Sequence, residues 1–270
     1  MTRRSSRRSP VRPNKLLGQH FLVNQGIIVK IISAAALNRG DVVVEVGPGR
    51  GALTFALAHA CKKVIAVEKD RALAQELREK CAHENIVNVE VVTGDILKFL
   101  APPSLLLPPR YVVVANIPYY LTSALVRALL EQKRTPDTIT LMMQKEVAQR
   151  MCARNGKESI LSLSVKFYAE PKVLFSVSRG SFFPPPTVDS AVIRLTPRKT
   201  PLSADPERFF PVVKAGFSAP RKKLVGNLAR ALSLDKERVA SVLHRCRIAP
   251  NARAADLPLS QWVALAAALQ

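Results

Sequence analysis

Long hydrophobic runs are missing from this chain. No apolar stretch reaches the length of about eighteen residues that a membrane-spanning helix needs, which argues against a transmembrane protein. Cysteine is scarce: Cys61, Cys81, Cys152 and Cys246 are widely spaced and form no C-x-x-C. That excludes a disulfide framework and suggests buried thiols in a reducing, cytoplasmic compartment. The four histidines are scattered too, so no metal site is expected. Internal repeats and long low-complexity tracts are also absent. The most telling deficit is negative charge at the two ends. The first acidic residue is Asp41, and eight basic residues precede it. From Arg194 to Arg253 there are fourteen basic residues against four acidic ones. The stretch from Asp41 to Ile193 is nearly balanced, with nineteen basic and fifteen acidic. A net charge of +21 over 270 residues, segregated in this way, points to a polyanionic partner, and nucleic acid fits best.

What is present is a strand–helix alternation on a chain long enough to bury a full core. Residues 25–37 read as a helix, followed by a turn at Asn38–Asp41. Val42–Val46, Lys63–Val67, Ile86–Val92, Tyr111–Ala115 and Thr138–Met143 read as strands. Between and after them, Gly51–Ala60, Arg71–Ala82, Thr122–Gln132 and Lys145–Cys152 read as helices. This spacing implies a parallel, doubly wound α/β sheet. Val173–Val177 and Ser190–Leu195 lack a crossover helix between them and should pair antiparallel at one edge. Beyond Leu202 the pattern turns helical, at Phe209–Phe217, Leu224–Leu232, Lys236–Cys246 and Leu259–Leu269. The expected organisation is a basic arm over 1–15, a ligand-binding α/β domain over 16–200 and a small helical domain over 201–270. The arm is Ser/Arg-rich like an organellar transit peptide. Pro10, Pro13 and the lack of apolar residues before Val11 argue against a targeting helix, leaving a disordered RNA-contacting arm.

Polar motifs sit at the ends of successive strands. The first strand runs into Glu45-Val46-Gly47-Pro48-Gly49-Arg50-Gly51, where glycines let backbone approach a ligand closely. The spacing is G-x-G-x-G, a poor match to the dinucleotide pattern. Glu45 at the mouth of the loop would repel a pyrophosphate and attract a cation. S-adenosylmethionine, with a sulfonium, an ammonium and no phosphate, suits such a site. Glu68 ends the second strand, about 20 residues beyond the first glycine, where nucleotide folds place the acid that binds ribose hydroxyls. Gly94-Asp95 ends the third, where an adenine amino group could donate to the acid. Asn116-Ile117-Pro118-Tyr119 ends the fourth. The Asn116 side-chain oxygen and the Ile117 carbonyl can accept hydrogens from an amine, Pro118 restricts the backbone that aims them, and Tyr119 offers a stacking face. Asn and Pro are also common turn residues, so the tetrapeptide alone leaves both readings open.

Together these motifs resemble the ribosomal RNA adenine dimethyltransferase family. The resemblance begins at Gly18-Gln19-His20-Phe21-Leu22 and takes in Glu45–Gly51, Glu68, Gly94-Asp95 and Asn116–Tyr119. It continues through Gln144–Val147, Phe182–Ser190, Arg221-Lys222-Lys223 and Asn227-Leu228. It implies a Rossmann-like, seven-stranded methyltransferase sheet whose last strand is antiparallel, followed by a small helical domain. It implies transfer of two methyl groups from S-adenosylmethionine to the N6 of each of two adjacent adenosines, in a hairpin near the 3′ end of small-subunit rRNA. Cofactor contacts are then expected at Gln19, His20, Leu22, Glu45, Gly47, Gly49, Gly51, Glu68, Lys69, Gly94, Asp95, Ile96 and Asn116. His20 departs from the Asn carried by many members, and its ring nitrogen is expected to supply a tuned contact.

The expected catalytic set is Asn116, Ile117, Pro118, Tyr119 and Phe182. Tyr119 would stack on one face of the flipped adenine. Phe182, held by Pro184-Pro185-Pro186, would cover the other, the alternative for Phe182 and above all for Phe183 being plain core packing. RNA would be held by Arg7, Arg8 and Arg12 of the arm and by Arg221, Lys222 and Lys223. The substrate implied is an assembling small ribosomal subunit, and the chain is expected to act as a monomer. Four rivals remain: a large-subunit rRNA methyltransferase conferring macrolide resistance, a non-catalytic nucleic-acid-binding factor, a protein-amide methyltransferase using Asn-Pro-Pro-Tyr, and an NAD-dependent oxidoreductase. The basic C-terminal segment, the intact catalytic positions, the +21 charge and the glycine spacing weigh against them in turn.

Overall fold

The structure is a computed structural model that describes residues 19–101, 107–153, 157–199, 202 and 204–269. The N-terminal arm, with Arg7, Arg8 and Arg12, lies outside the described residues. The chain opens with β1 (Phe21–Leu22) and α1 (Gln25–Ala35). It then alternates through β2 (Val42–Val46), α2 (Ala52–Ala60), β3 (Lys63–Glu68), α3 (Arg71–His83), β4 (Val89–Thr93), α4 (Ile96–Leu100), β5 (Val112–Asn116), α5 (Thr122–Glu131) and β6 (Thr138–Gln144). Two helices, α6 (Lys145–Met151) and α7 (Ile160–Tyr168), precede β7 (Ala169–Val177), β8 (Phe182–Phe183) and β9 (Ser190–Pro197). The chain ends in α8 (Pro206–Gly216), α9 (Leu224–Ala231), α10 (Lys236–Arg245) and α11 (Leu259–Ala268).

Seven strands form one sheet in the order β4-β3-β2-β5-β6-β9-β7. The first five are parallel, and β9 is antiparallel to both β6 and β7. β1 and β8 form a separate ribbon that pairs Phe21 with Phe183 and Leu22 with Phe182. Alternation along the central strands explains the layering. Val44, Val46, Val113 and Leu141 face one way, toward Leu125 and Leu129 of α5. Val43, Val112, Val114 and Met142 face the other, toward Ile28 of α1, Leu57 of α2 and Leu77 of α3. A third core gathers α8–α11 around the buried Trp262 and borrows Leu163 and Phe167 from α7. The sequence order reverses between β2 and β5, which places the ligand crevice of an open α/β sheet outside their carboxyl ends.

Several expectations need correction. The strand expected at Ile86–Val92 runs from Val89 to Thr93. Ile86 instead donates its N–H to Cys81 at the end of α3, and Val87 is 95% exposed. The last mixed strand begins at Ala169, four residues before Val173, because Pro171 is tolerated on an edge strand. α4, α7 and the β1–β8 ribbon were not anticipated. Only Cys61 and Cys81 are buried, while Cys152 and Cys246 are half-buried. Among the described residues no helix is long and apolar enough to cross a membrane.

Candidate active site

One cleft gathers almost all the expected catalytic and cofactor positions. Its walls include Gln19, His20, Leu22, Glu45, Gly47, Gly49, Glu68, Lys69, Gly94, Asp95 and Ile96, and also Asn116, Ile117, Pro118, Tyr119 and Phe182. Gly51 lies behind the wall, at the N-terminus of α2. Arg221, Lys222 and Lys223 lie elsewhere, exposed on the turn between α8 and α9.

The glycine loop shows why these positions carry no side chain. Gly47, Gly49 and Gly51 all have positive φ, at 63°, 56° and 86°. A Cβ on Gly49 would stand 3.0 Å from the Phe21 ring, and one on Gly51 would stand 2.6 Å from Leu77. The loop therefore passes flat against its surroundings and leaves its backbone facing the cleft.

Glu68 binds the loop from the next strand. Its carboxylate accepts the Gly49 N–H at 3.0 Å and the Asp70 N–H at 2.9 Å, which leaves lone pairs for ligand hydroxyls. Burial nevertheless pushes its pKa up. Asp95 accepts the Leu97 N–H as the N-cap of α4 and pairs with Lys69 Nζ at 3.0 Å. The hydrogen bond from Lys69 holds its carboxyl below the usual range. Asp95 is thus a helix cap as well as a cleft wall, and Lys69 is its partner.

Glu45 departs from expectation. It is 2% exposed and is not an open carboxylate at a loop mouth. Burial raises its pKa to about 8, and its Oε2 has no hydrogen-bond partner. A buried acid with one unpartnered oxygen lining a cleft is costly unless a donor or a cation enters. The ammonium and sulfonium of S-adenosylmethionine fit that requirement. The glycine loop and the Glu68 lone pairs fit its close approach and its ribose.

The other half of the cleft is neutral. Asn116 ends β5 and donates its side-chain N–H to the His20 carbonyl at 3.3 Å, which turns Oδ1 away from that partner. No described residue hydrogen-bonds Asn116 Oδ1 or the Ile117 carbonyl. Tyr119 follows in a 3₁₀ turn, with its hydroxyl 2.9 Å from Ser190 Oγ. The His20 ring does not offer Nδ1 to the cleft. That nitrogen sits 2.8 Å from the Pro184 carbonyl and, facing an acceptor, carries the proton. His20 therefore ties the Pro184 loop, which carries Phe182, to β1. Phe182 is buried and lines the cleft, while Phe183 is 59% exposed and is not a core residue.

Sequence reasoning missed Phe21 and Tyr120, both of which line the cleft. Their position beside His20 and Tyr119 was the available signal. Asn227, part of the motif Asn227-Leu228, has a structural role that the motif does not announce. Its amide donates to the carbonyls of Gly216 at 2.7 Å and Ala219 at 2.9 Å, clasping the turn that carries Arg221–Lys223.

The comparisons with known proteins agree with this geometry. The family model described as ribosomal RNA adenine dimethylase matches residues 11–270. The chain belongs to this family. A ribosomal RNA small subunit methyltransferase A from Dehalococcoides mccartyi is 41% identical over 93% of the chain and 87% of the relative. The protein of the same description from Trichormus variabilis is 38% identical over 95% of the chain and 97% of its own length. Among solved structures, a dimethyladenosine transferase from Plasmodium falciparum superposes with a TM-score of 0.78 at 30% identity, covering 91% of this chain and 96% of that one. The 23S rRNA methyltransferase ErmE superposes with a TM-score of 0.76 at 33% identity, covering 92% and 99%. Membership in the family makes S-adenosylmethionine the cofactor of this protein.

Proposed function

We propose that the protein transfers methyl groups from S-adenosylmethionine to the N6 of two adjacent adenosines in a hairpin near the 3′ end of small-subunit rRNA. The observation that carries the chemistry is the orientation of Asn116. With its N–H spent on the His20 carbonyl, its oxygen is left to accept a hydrogen from the incoming amine, and the Ile117 carbonyl can take the other.

S-adenosylmethionine supplies an electrophilic methyl group. The exocyclic amine of adenine is a poor nucleophile because its lone pair is delocalised into the ring. Asn116 and Ile117, by accepting its hydrogens, favour a pyramidal nitrogen with the lone pair turned toward the cofactor half. This is catalysis by orientation and fixed dipoles. The methylated nitrogen is acidic enough to lose its proton to water, so no general base is required. The target base leaves its stack to enter. Tyr119 takes one face of it, and Phe182, braced by the loop that His20 holds, takes the other.

The unit over 16–200 does the chemistry in this reading, and the helices over 201–270 hold RNA through Arg221, Lys222 and Lys223. These three side chains are exposed and enter no ion pair among the described residues. The substrate is an assembling small subunit met in the cytoplasm, by a monomer. ErmE keeps large-subunit rRNA as a second reading on structural grounds. The sequence relatives at about 40% identity, all described as small-subunit enzymes, favour the first.

The deciding experiment offers labelled S-adenosylmethionine with small subunits lacking adenine dimethylation, and large subunits as control. Mass spectrometry of the nucleosides should find dimethyladenosine at two adjacent positions near the small-subunit 3′ end. Transfer to large subunits alone would replace this reading with the second.

A further inference from the structure

The contact behind the target-side ring is one that the proposed chemistry leaves unused. Ser190 opens β9 and is fully buried. It is paired with Gln144 of β6 on one side and Val177 of β7 on the other, so its hydroxyl is fixed to rigid sheet. Tyr119 lies in a short turn beyond the end of β5, outside the ladder. The two hydroxyls stand 2.9 Å apart. At the backbone end of the same residue, the Thr122 hydroxyl donates to the Tyr119 carbonyl at 3.0 Å. The residue is thus held at its backbone carbonyl and at the tip of its ring. The tyrosine oxygen lies on the axis of the ring's second torsion, so a hydrogen bond there fixes the first torsion directly and biases the second through the preference of the phenolic O–H for the ring plane.

We propose that Ser190 is a positioning residue for methyl transfer. Through its bond to the Tyr119 hydroxyl it anchors the tip and biases the plane of the ring on which the target adenine stacks, and it touches no substrate itself. The inference rests on the reading of Tyr119 as the stacking surface. Stacking alone is tolerant of rotation and sliding, whereas transfer needs the nitrogen held close to its attack geometry. The demand rises at the second transfer. A monomethylated N6 has one hydrogen left, so Asn116 and Ile117 can no longer both accept from it. The plane of the ring then carries more of the alignment, and loss of the Ser190 bond weighs more heavily on the second methyl than on the first.

The test uses the full-length chain, unmethylated small subunits and labelled S-adenosylmethionine. It compares the wild type with Ser190→Ala, Tyr119→Phe and the double variant. Tyr119→Phe keeps the ring and removes the bond from the less buried side, so it answers the question even if Ser190→Ala folds poorly. Each single variant should lower kcat roughly tenfold, the size of a lost buried hydrogen bond. Cofactor affinity should stay unchanged, and the ratio of monomethyl to dimethyladenosine should rise. The double variant should be no slower than the slower single one, because both remove the same bond. Losses that multiply in the double variant, or single variants with the wild-type product ratio, would overturn the inference and leave the proposed function standing. A wild-type protein that transfers nothing to small subunits overturns both, and that arm is read before any variant.

Discussion

The two halves of the cleft are built from opposite materials. On the side of β2, β3 and β4 the strand ends carry carboxyl groups, Glu45, Glu68 and Asp95. On the side of β5 the polar groups are an amide, backbone carbonyls and aromatic rings, with no acid among them. The first set suits a ligand that carries positive charge and hydroxyls. The second suits a neutral amine that must keep its lone pair available. In the proposed mechanism, the division of charge across the switch point separates holding the donor from activating the acceptor.

The sharpest way to break this division is Asn116→Ala. Loss of a preorganised acceptor at the reacting nitrogen should cut turnover by about 10²–10³. Cofactor affinity, measured by calorimetry, should stay close to the wild type. Near-normal turnover would mean that the neutral half does not activate the amine. The converse variant, Glu68→Gln, should weaken cofactor binding by about ten- to a hundredfold, since charge-assisted hydrogen bonds are lost. Its turnover at saturating cofactor should change little. If turnover fell instead while affinity held, the halves would not be separable.

Smaller effects sharpen the contrast. Neutralising Arg221, Lys222 and Lys223 together to Ala should lower the slope of log K against log salt for RNA binding by about 2. Both halves of the cleft should be untouched, as judged by cofactor affinity. The smallest effect concerns Glu45. Its pKa in the folded protein is about 8 against an ordinary 4.5, because burial favours the neutral form. Between those values the folded state holds a proton that the unfolded chain has released. Stability contributed by the neutral acid is complete at low pH and is lost as pH rises toward 8. Urea midpoints at about pH 6 and about pH 9 should therefore converge in Glu45→Gln relative to the wild type. An unchanged difference would place the titration elsewhere.

Much of this was legible in the chain. The β-branched runs at Val42–Val46 and Val112–Val114 could only be buried strands, and their ends announced the cleft. Local rules failed where distant partners decide. Ile86-Val87 has strand composition, but Ile86 closes the end of α3 and Val87 faces solvent. β1 and β8 are two-residue strands far apart in the sequence, and no local pattern marks such a pairing. α7 announces itself only through the Ser159–Ser162 capping box, easily lost among Ser-rich residues. Glu45 is buried within a strand of the central sheet, and that burial raises its pKa, so its acidity could not be read from its place in a motif.

The clasp made by Asn227 has a kinetic consequence. Because its amide grips the carbonyls of Gly216 and Ala219, the turn bearing Arg221–Lys223 already has its shape before any RNA arrives. Little ordering remains to be done on encounter, so the on-rate should follow long-range attraction and fall steeply with ionic strength. How long the complex lives is then left to the cleft, where the extracted base is gripped. On the proposed reading, arrival is governed by the basic turn and residence by the cleft.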